Sequence, residues 1–450
     1  MDETDCSTNL QSTSRSRFWP LIAFLLVDLV LSIVILAGVP HVPFHPDEST
    51  FLFLSADFER LFTNPAGMAW QPELRDDLVQ RYRTLDAPLG RYLVGFGRWL
   101  TGQAPLPVDW EWGKTWQQNQ QAGALPSEGL LLAGRYALAG LLPFSLLLTY
   151  LTGRRAGGEA AGWLAALLLA GNALVLMLGR RAVSEGTLVF TSSLTLFSLL
   201  YAHKRPWLTG PPAGLAFCAK HSLGALAPIG LLAIFWQPRV PLAVRLRQAA
   251  FFIGLYAVVV IALNPFAWQH PLAALQDAAE NRRVLAANQT ADRPEQALTT
   301  HGLRIIGMLG ALYLTPPILA ETANYVKDTQ AQDLAYLANP FNRMLRSLPA
   351  GGLLLIITLA GWLASVWQVA RKGGRGTPAL AGDRRSLTLL LLAAALQAAA
   401  LYVLVPLPFQ RYYLPLVPHA CLWAAIGLLQ IFRPFVNQIE AGRQRRPTSI

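Results

Sequence analysis

Long apolar runs, almost free of charge, are the feature that most restricts what this chain can fold into. Five of them are long enough to cross the hydrocarbon core of a bilayer as helices, which takes about 20 residues. Only 14% of the 450 residues are charged and 53% are hydrophobic, a balance that excludes an ordinary soluble domain. The runs occupy residues 18–39, 158–178, 348–370, 386–405 and 412–432. The sequence therefore predicts an all-α polytopic membrane protein.

The distribution of charge predicts how the chain crosses the membrane. The net charge is +11, but residues 40–128 contain 7 basic and 11 acidic residues, so the rest of the chain carries +15. Basic residues in short loops are typical of the cytoplasmic side, and this pattern argues against a nucleic-acid partner. We expect a cytoplasmic tail at 1–17, a transmembrane domain of about ten helices at 18–432 and a basic cytoplasmic tail at 433–450.

Two long segments between spans are expected on the outer side, residues 40–128 and residues 264–347. The second contains an apolar stretch, 303–320, that Pro316 and Pro317 interrupt. If this stretch crossed the membrane once, the arginine-rich loop at 371–385 would lie outside, against the charge rule. We therefore expect 303–320 to be interfacial, re-entrant or one half of a hairpin.

The first outer loop, 40–128, contains a pattern typical of an amphipathic interfacial helix. Leu89, Leu93, Phe96 and Leu100 recur at helical spacing, while arginines occupy another face. We expect this helix to lie on the membrane surface.

Two adjacent carboxylates, Asp47 and Glu48, follow the first span by about eight residues. Adjacent carboxylates repel one another, so one can hold a proton or a metal while the other acts as a base. A solvated loop start or a helix cap is the alternative, since Pro46 precedes them. His41 and His45 would complete a metal cluster, but the prolines around them disfavour a helix that aligns all four groups.

Five basic residues lie within or at the ends of apolar segments, where a charge costs about 2.5 to 3.5 kcal/mol. Snorkelling to lipid headgroups, or a place at the end of a span, explains some of them. Cations in such places also stabilise the negative charge that grows on a departing phosphate. The five are Arg135, Arg180, Arg181, Lys220 and Arg411.

Five segments, in this order along the chain, resemble motifs of the integral-membrane glycosyltransferases of the C superfamily. The similarity is to the branch that contains the protein O-mannosyltransferases and the aminoarabinose transferases. The segments are Phe44-His45-Pro46-Asp47-Glu48, Asp86-Ala87-Pro88-Leu89-Gly90-Arg91 with Arg135, Gly179-Arg180-Arg181-Ala182-Val183-Ser184-Glu185, Ala219-Lys220-His221 and Arg411-Tyr412-Tyr413-Leu414-Pro415. Ala87 and Glu185 depart from the commoner residues, His or Lys and Asp, at their positions.

The resemblance implies a role for each of these polar residues. Asp47 would be the catalytic base and Glu48 its acidic neighbour, which could also share a divalent cation, Mg²⁺ or Mn²⁺, with the donor phosphate. Three further residues would shape the acidic site, contact the acceptor or hold a metal, namely Asp86, Glu185 and His45. Four cations would bind the donor phosphate, namely Arg135, Arg181, Lys220 and Arg411.

The expected function is inverting transfer of a sugar from a polyprenyl-phosphate donor to an acceptor on the outer, periplasmic or extracytoplasmic, face. The acceptor could be a lipid, a glycan or a protein. We expect the protein to reside among membrane lipids in the plasma (inner) membrane, as a multi-pass protein without a nucleic-acid partner. The alternative is a transporter or lipid flippase whose intramembrane charges line a path.

Overall fold

The computed structural model describes residues 7–202, 205–237, 239–320, 323–371 and 384–444, and within these ranges it contains helices and connecting segments but no β-strand. This confirms the all-α prediction. Most of the expected basic loop at 371–385 lies outside the described residues, as do residues 1–6 and 445–450 of the two tails.

Twenty-one α-helices follow one another along the described chain. The first eleven are α1 (Ser7–Ala37), α2 (Pro46–Phe53), α3 (Asp57–Thr63), α4 (Leu78–Leu85), α5 (Leu89–Leu100), α6 (Trp116–Gln121), α7 (Glu128–Ala139), α8 (Leu142–Gly157), α9 (Glu159–Ala170), α10 (Ala173–Leu178) and α11 (Glu185–Leu200). The remaining ten are α12 (Gly210–Ala219), α13 (Ala227–Phe235), α14 (Leu242–Leu263), α15 (Pro271–Asp292), α16 (His301–Leu309), α17 (Ala323–Ala338), α18 (Leu348–Ala370), α19 (Arg384–Leu404), α20 (Gln410–Tyr413) and α21 (Val417–Gln444).

Six helical stretches of the described chain are long and apolar enough to cross a bilayer, so the polytopic character is confirmed. They are Trp19–His41, Glu128–Gly157, Leu242–Leu263, Leu348–Ala370, Arg384–Leu404 and Gln410–Phe432. Four apolar helices are shorter, namely Glu159–Ala170, Glu185–Leu200, His221–Phe235 and His301–Leu314. The count of about ten crossings stays a prediction.

One expected span is wrong as a continuous helix. Residues 158–178 form α9 and α10, which are separated because Asn172 caps the second helix. Its side-chain oxygen accepts hydrogen bonds from the backbone N–H groups of Leu174 and Val175, at 3.1 and 3.3 Å. A side chain that satisfies the first N–H groups of a new helix favours a break at that point.

The stretch 303–320 begins as α16, continues as a short π-helix over Gly310–Leu314 and then loses helical structure. The end coincides with Pro316 and Pro317, which cannot donate the hydrogen bonds that helix continuation needs. Arg346 is buried and donates to the carbonyl oxygens of Ala311 and Leu312, which satisfies groups that the irregular turn leaves free.

The first outer loop folds around a buried carboxylate. Asp57 is 1% exposed, and it accepts hydrogen bonds from the guanidinium of Arg83 at 2.5 and 2.9 Å, while Arg91 Nε lies 3.3 Å away. Arg83 belongs to α4 and Arg91 to α5, so the carboxylate ties both helices to the start of α3. A buried charge is tolerated only with such partners.

The expected amphipathic helix is α5, and its two faces have different surroundings. Phe96, Trp99 and Leu100 are exposed, whereas Arg91 and Arg98 are buried against the protein. Arg98 forms an ion pair with Glu59 of α3. The apolar side is therefore the one left for lipid, as in helices that lie in a membrane interface.

The two segments expected on the outer side pack against each other. Asp277 of α15 accepts hydrogen bonds from the indole of Trp70 at 3.0 Å and from Nε of Arg75 at 3.1 Å. Farther along α15, Asn281 donates to the hydroxyl of Thr84 at 3.0 Å. In this way α15 covers the first outer loop at the end of α4.

The spans themselves meet through small residues. In α18 and α21, Gly361 and Gly427 lie at a crossing so close that a Cβ atom on Gly361 would stand 1.9 Å from the carbonyl oxygen of Trp423. A Cβ on Gly427 would stand 2.1 Å from the carbonyl oxygen of Ile357. Glycine is thus required on both helices, as in many contacts between membrane helices.

Candidate active site

The site begins at the first turn of α2, where His45 is the N-cap. Its Nδ1 accepts a hydrogen bond from the backbone N–H of Asp47 at 3.1 Å, and Glu48 Oε2 accepts one from the backbone N–H of His45 at 3.0 Å. Pro46 occupies the first helical position, where its missing N–H is harmless. This capping box holds Asp47 and Glu48 in the positive end of the helix dipole.

Glu48 is completely buried and its oxygens are fully engaged. Arg135 of α7 binds it with two parallel hydrogen bonds of 2.7 Å, from Nε to Oε1 and from Nη2 to Oε2. The backbone N–H of Ala182 donates to Oε1 at 2.8 Å. Burial raises the pKa of Glu48, but Arg135 outweighs it and the net pKa lies below the ordinary value.

This arrangement corrects two expectations. Arg135 is 2% exposed, and its remaining hydrogen bonds go to backbone carbonyls, including that of Val42 at 2.7 Å, so it does not fit a donor-phosphate role. Glu48 has no oxygen left for a metal or for proton transfer. The pair instead joins α2, α7 and the segment before α11, as a bidentate buried ion pair can do.

Asp47 is differently placed. Its carboxylate is 24% exposed and forms an ion pair with Arg411 of α20. Burial raises the pKa of Asp47, and the charges of Arg411 and Lys220 lower it, with a net pKa below the ordinary value. Burial lowers the pKa of His45 to about 3, so that the ring is neutral and accepts from Asp47 through Nδ1. Asp47 is therefore an ionised, accessible carboxylate.

Lys220, the N-cap position of the turn after α12, is brought close to Asp47, since its charge contributes to lowering the pKa of that carboxyl. Its Nζ lies 3.7 Å from Oε1 of Glu185, at the start of α11. Glu185 is buried, whereas Lys220 is 23% exposed. Glu185 thus orients Lys220, whose exposed part faces the site.

Arg181 and Arg180 lie beyond α10 and point to different neighbours. Arg181 is buried, donates to the carbonyl oxygen of Leu319 at 2.8 Å, and contributes to lowering the pKa values of His45 and Glu48. Arg180 donates to the last turn of α1, away from Asp47. The structure brings Arg181 to the site behind His45 and leaves Arg180 outside it.

The phenol of Tyr82 is bonded to one carboxylate and feels the charge of two others. Its hydroxyl donates to Asp109 Oδ2 at 2.7 Å. Burial raises the pKa of Tyr82, and Asp109, Asp86 and Asp47 add to the increase. Burial, with a smaller contribution from Asp47, also raises the pKa of Asp109 despite the bond from Tyr82. No local pattern in the sequence marks Asp109, because its partner Tyr82 lies 27 residues away along the chain.

A cavity of about 430 Å³ opens beside Lys220. Its walls are mostly apolar and come from α12, α14, α15, α19 and the segment before α20, with Arg282 and Lys220 as the charged lining residues. Tyr412, next to Arg411, also lines it. The lining includes Phe217, Val260, Phe266, Leu275, Leu285, Leu401, Leu404 and Val405. A long apolar chain with a phosphate at one end matches this arrangement of surfaces.

The residues present do not fit a resident divalent cation. Within the described ranges no three His, Cys, Asp or Glu side chains gather as a metal site requires. The oxygens of Glu48 are occupied, Asp47 is paired with Arg411, and Nδ1 of His45 is bonded to the chain. Hard divalent ions need several free oxygen ligands. The expected Mg²⁺ or Mn²⁺ shared by Glu48 therefore has no free ligand there.

Part of the chain is similar in sequence to a known protein family. The family model described as dolichyl-phosphate-mannose-protein mannosyltransferase matches residues 79–270. No curated protein sequence matches the chain significantly. The resemblance to the protein O-mannosyltransferases is thereby confirmed over residues 79–270, and solved structures of other proteins share the fold.

Two of those structures are of the oligosaccharyltransferase AglB from Archaeoglobus fulgidus. The complex with an inhibitory peptide and a dolichol-phosphate has 13% sequence identity and a TM-score of 0.51, over 96% of this chain and 53% of that one. The complex with Zn and sulfate has 15% identity and a TM-score of 0.51, over 91% and 49%. The chain spans about half the length of these proteins. ArnT from Cupriavidus metallidurans bound to undecaprenyl phosphate has 14% identity, a TM-score of 0.46 and coverage of 91% and 60%.

Proposed function

We propose, from the shared fold and the family match, that the protein is a membrane glycosyltransferase. It transfers a sugar from a polyprenyl-phosphate donor to an acceptor on the outer face of the membrane, with inversion at the anomeric carbon. The observation that carries the proposal is Asp47, an ionised carboxylate that is 24% exposed and paired with Arg411, whose neighbour Tyr412 lines the apolar cavity together with Lys220. Residence in the plasma (inner) membrane is part of the proposal.

The apolar cavity suits the isoprenoid part of the donor. Its charged lining residues, Lys220 and Arg282, and the nearby Arg411 are the candidates for the phosphate. Two or three cations around one phosphate stabilise the charge that develops on it as the sugar leaves. Glu185 serves this arrangement by orienting Lys220, and Arg181 adds positive charge behind His45.

The chemical step needs a base and a leaving group on opposite sides of the sugar. The acceptor oxygen forms a bond to the anomeric carbon while its proton passes to a carboxylate oxygen of Asp47. The bond from the anomeric carbon to the phosphate oxygen breaks, and its electron pair leaves with the polyprenyl phosphate. General-base catalysis of this kind contributes about 10² to 10⁴ in rate.

Arg411 has two roles in this scheme. Without donor it pairs with Asp47 and keeps the pKa of that carboxyl low, which makes Asp47 a weak base. The donor phosphate is a diester whose single negative charge equals that of Asp47, and a second charge develops on it as the sugar leaves. We infer that this growing charge draws Arg411 from Asp47 to the phosphate and raises the basicity of the carboxylate during the reaction.

The test is Asp47→Asn, assayed against a panel of polyprenyl-phosphate sugars with protein purified in detergent. We expect a fall in transfer of about 10² to 10⁴ with unchanged folding. Glu73→Gln is the matched control, because Glu73 is an exposed carboxylate of the same outer segment. An Asp47→Asn protein as fast as the wild type would refute the assigned base. Turnover without a sealed compartment would also separate this function from transport.

A further inference from the structure

A second and larger cavity, of about 920 Å³, lies beside the segment that leads from α1 to α2. The outer end of α1, α9, α10 and the segment from α17 to residue 344 surround it. It shares no lining residue with the first cavity. The mechanism proposed above leaves this cavity unused.

The walls of the second cavity divide into an apolar and a polar side. Leu31 and Val34 of α1 and Leu167 of α9 form the apolar side, and Val34 is 60% and Leu167 44% exposed. Both helices are apolar, so this opening faces lipid. Gln332 and Asn339, at the α17 side, are exposed and polar. Such a division fits a ligand with an apolar tail and a polar head.

Two arginines line this cavity, Arg135, which is paired with Glu48, and Arg180. Arg180 is 4% exposed, and its Nε and Nη2 donate to the carbonyl oxygens of Ile35 at 2.8 Å and Val34 at 3.2 Å. Among the described residues it forms no ion pair with a carboxylate. Burial lowers the pKa of Arg180, and the neighbouring hydroxyl of Tyr336 opposes that shift.

The backbone is shaped to admit this guanidinium. A Cβ atom on Gly38 would stand 2.5 Å from the central carbon of the Arg180 guanidinium, so no larger residue fits there without moving it. The carbonyls at the end of α1 hold the guanidinium in place by their partial negative charge, but they do not neutralise it. A full negative charge from a ligand would.

The second cavity also reaches the catalytic helix. Phe44, three residues before Asp47, and Arg135, the partner of Glu48, line it, whereas the first cavity reaches Asp47 through Lys220. Inversion requires the acceptor oxygen and the departing phosphate to lie on opposite faces of the sugar carbon. One cavity ends at Arg135, the partner of Glu48, and the other at Lys220, so an acceptor and a donor can approach Asp47 by separate routes.

We propose that the second cavity binds the acceptor, and that the acceptor is an amphipathic membrane lipid whose anionic group pairs with Arg180. The inference rests on the proposed function, of which it specifies the acceptor class. Soluble glycans and proteins are the classes it excludes, because neither fills an apolar opening that faces lipid.

The experiment uses the full chain in nanodiscs with phosphatidylglycerol that carries a photoreactive group in its acyl chain. We expect crosslinks to peptides around Val34 and Leu167, with phosphatidylcholine crosslinking about tenfold less. Arg180→Gln should lower phosphatidylglycerol labelling to the phosphatidylcholine level. Arg343→Gln is the matched control, since Arg343 is exposed on the neighbouring segment and does not line the cavity.

A second variant pair keeps the test valid if Arg180→Gln folds poorly. Ala335→Trp fills the cavity from an exposed position of α17 and should reduce labelling by both lipids, whereas Ala338→Trp, exposed on the same helix outside the lining, should not. Equal labelling by the two lipids in the wild type would overturn the proposal. Displacement of the labelled lipid by millimolar inorganic phosphate would overturn it too, because it would indicate a free-anion site.

The same nanodiscs separate this inference from the proposed function. A photoreactive polyprenyl phosphate should label the first cavity, and Lys220→Gln should reduce that labelling while phosphatidylglycerol labelling near Val34 stays unchanged. If polyprenyl phosphate fails to bind, the proposed function fails at its donor. If it binds and the second cavity shows no preference for the anionic lipid, only the acceptor assignment fails.

Discussion

At the scale of the residue, Asp47 and Glu48 show how two adjacent carboxylates acquire different roles. Glu48 is buried under Arg135, 87 positions away in sequence, whereas Asp47 remains accessible beside Arg411, which is 364 positions away. The sequence pattern predicted that both carboxylates matter. It could not predict the division between them, because each role is decided by a partner that only the tertiary fold supplies.

Arg411→Gln should change the pH dependence of transfer. Arg411 lowers the pKa of Asp47, so the wild-type base stays ionised below the ordinary aspartate pKa of about 3.9. Without the guanidinium that pKa rises, and we expect the acidic limb of kcat/KM to move to higher pH. The measurement is a pH profile of kcat/KM, with Arg343→Gln as control. An unmoved acidic limb would contradict the assigned pair, whatever the change in maximal rate.

Glu48→Gln should destabilise the protein rather than only slow it. The change leaves the buried guanidinium of Arg135 without its counter-charge, which costs about 3 to 5 kcal/mol. Since the folded pKa of Glu48 is lowered, its stabilising effect is present above the ordinary glutamate pKa of about 4.3 and is lost as pH falls through the lowered value. Thermal unfolding in detergent between pH 3 and about 7 measures both effects.

The control for that change is Glu111→Gln. Glu111 pairs with Lys114 at the surface, where both side chains are about half exposed, so its removal should cost no more than about 1 kcal/mol. If the two variants unfold alike at neutral pH, the buried pair does not stabilise the fold as described.

At the scale of the element, the amphipathic helix predicted from periodicity is present, whereas the interruptions of long apolar runs were harder to predict. The Leu89 to Leu100 pattern became α5 because its apolar spacing is sufficient by itself. The break at Asn172 was missed because one cap within a long apolar run is a weak local signal. The buried ion pairs of Asp57 with Arg83 and Arg91 were not predicted, because the two arginines belong to two other helices.

Gly361→Ala should weaken the contact between α18 and α21. The new methyl group would overlap the carbonyl oxygen of Trp423, so the helices must separate, and overpacking of this kind costs about 1 to 3 kcal/mol. Gly352→Ala is the control on the same helix, because nothing lies within 4 Å of its added Cβ. It should be neutral or slightly stabilising, since alanine favours the helix. A thermal melt in detergent in which both variants behave alike would refute the close crossing.

At the scale of the whole molecule, the site depends on contacts between residues far apart in sequence. Lys220 lies beside Glu185, and Arg411 pairs with Asp47. The common site predicted from the order of the motifs stays a prediction. The two cavities were beyond sequence reasoning. Each cavity is lined by side chains from five or more elements of the fold. Its existence depends on tertiary packing, which no local sequence pattern specifies.

The sidedness of the molecule is tested with Ala122→Cys, an exposed position in the first outer loop. In a background with Cys6, Cys218 and Cys421 replaced by serine, we expect a membrane-impermeant thiol reagent to label this cysteine in intact cells. A cysteine at position 10 of the N-terminal tail, labelled only after the cells are broken, is the control. The reverse pattern would invert the topology and place Asp47 inside.

Helix α5 has a further consequence for how acceptors are chosen. Its outward Phe96, Trp99 and Leu100 seat it at one level of the lipid, while Gly95 packs directly on the carbonyl oxygen of Ser55, just past α2. If these side chains sit in lipid, the packing of Gly95 on Ser55 would hold the helix that carries Asp47 at a fixed distance from the bilayer midplane. Hydroxyl groups presented at that height would be within reach, and chemically identical ones displayed nearer to or farther from the surface would be passed over. The choice among acceptor hydroxyl groups would then depend on their distance from the membrane surface as much as on the shape of the acceptor.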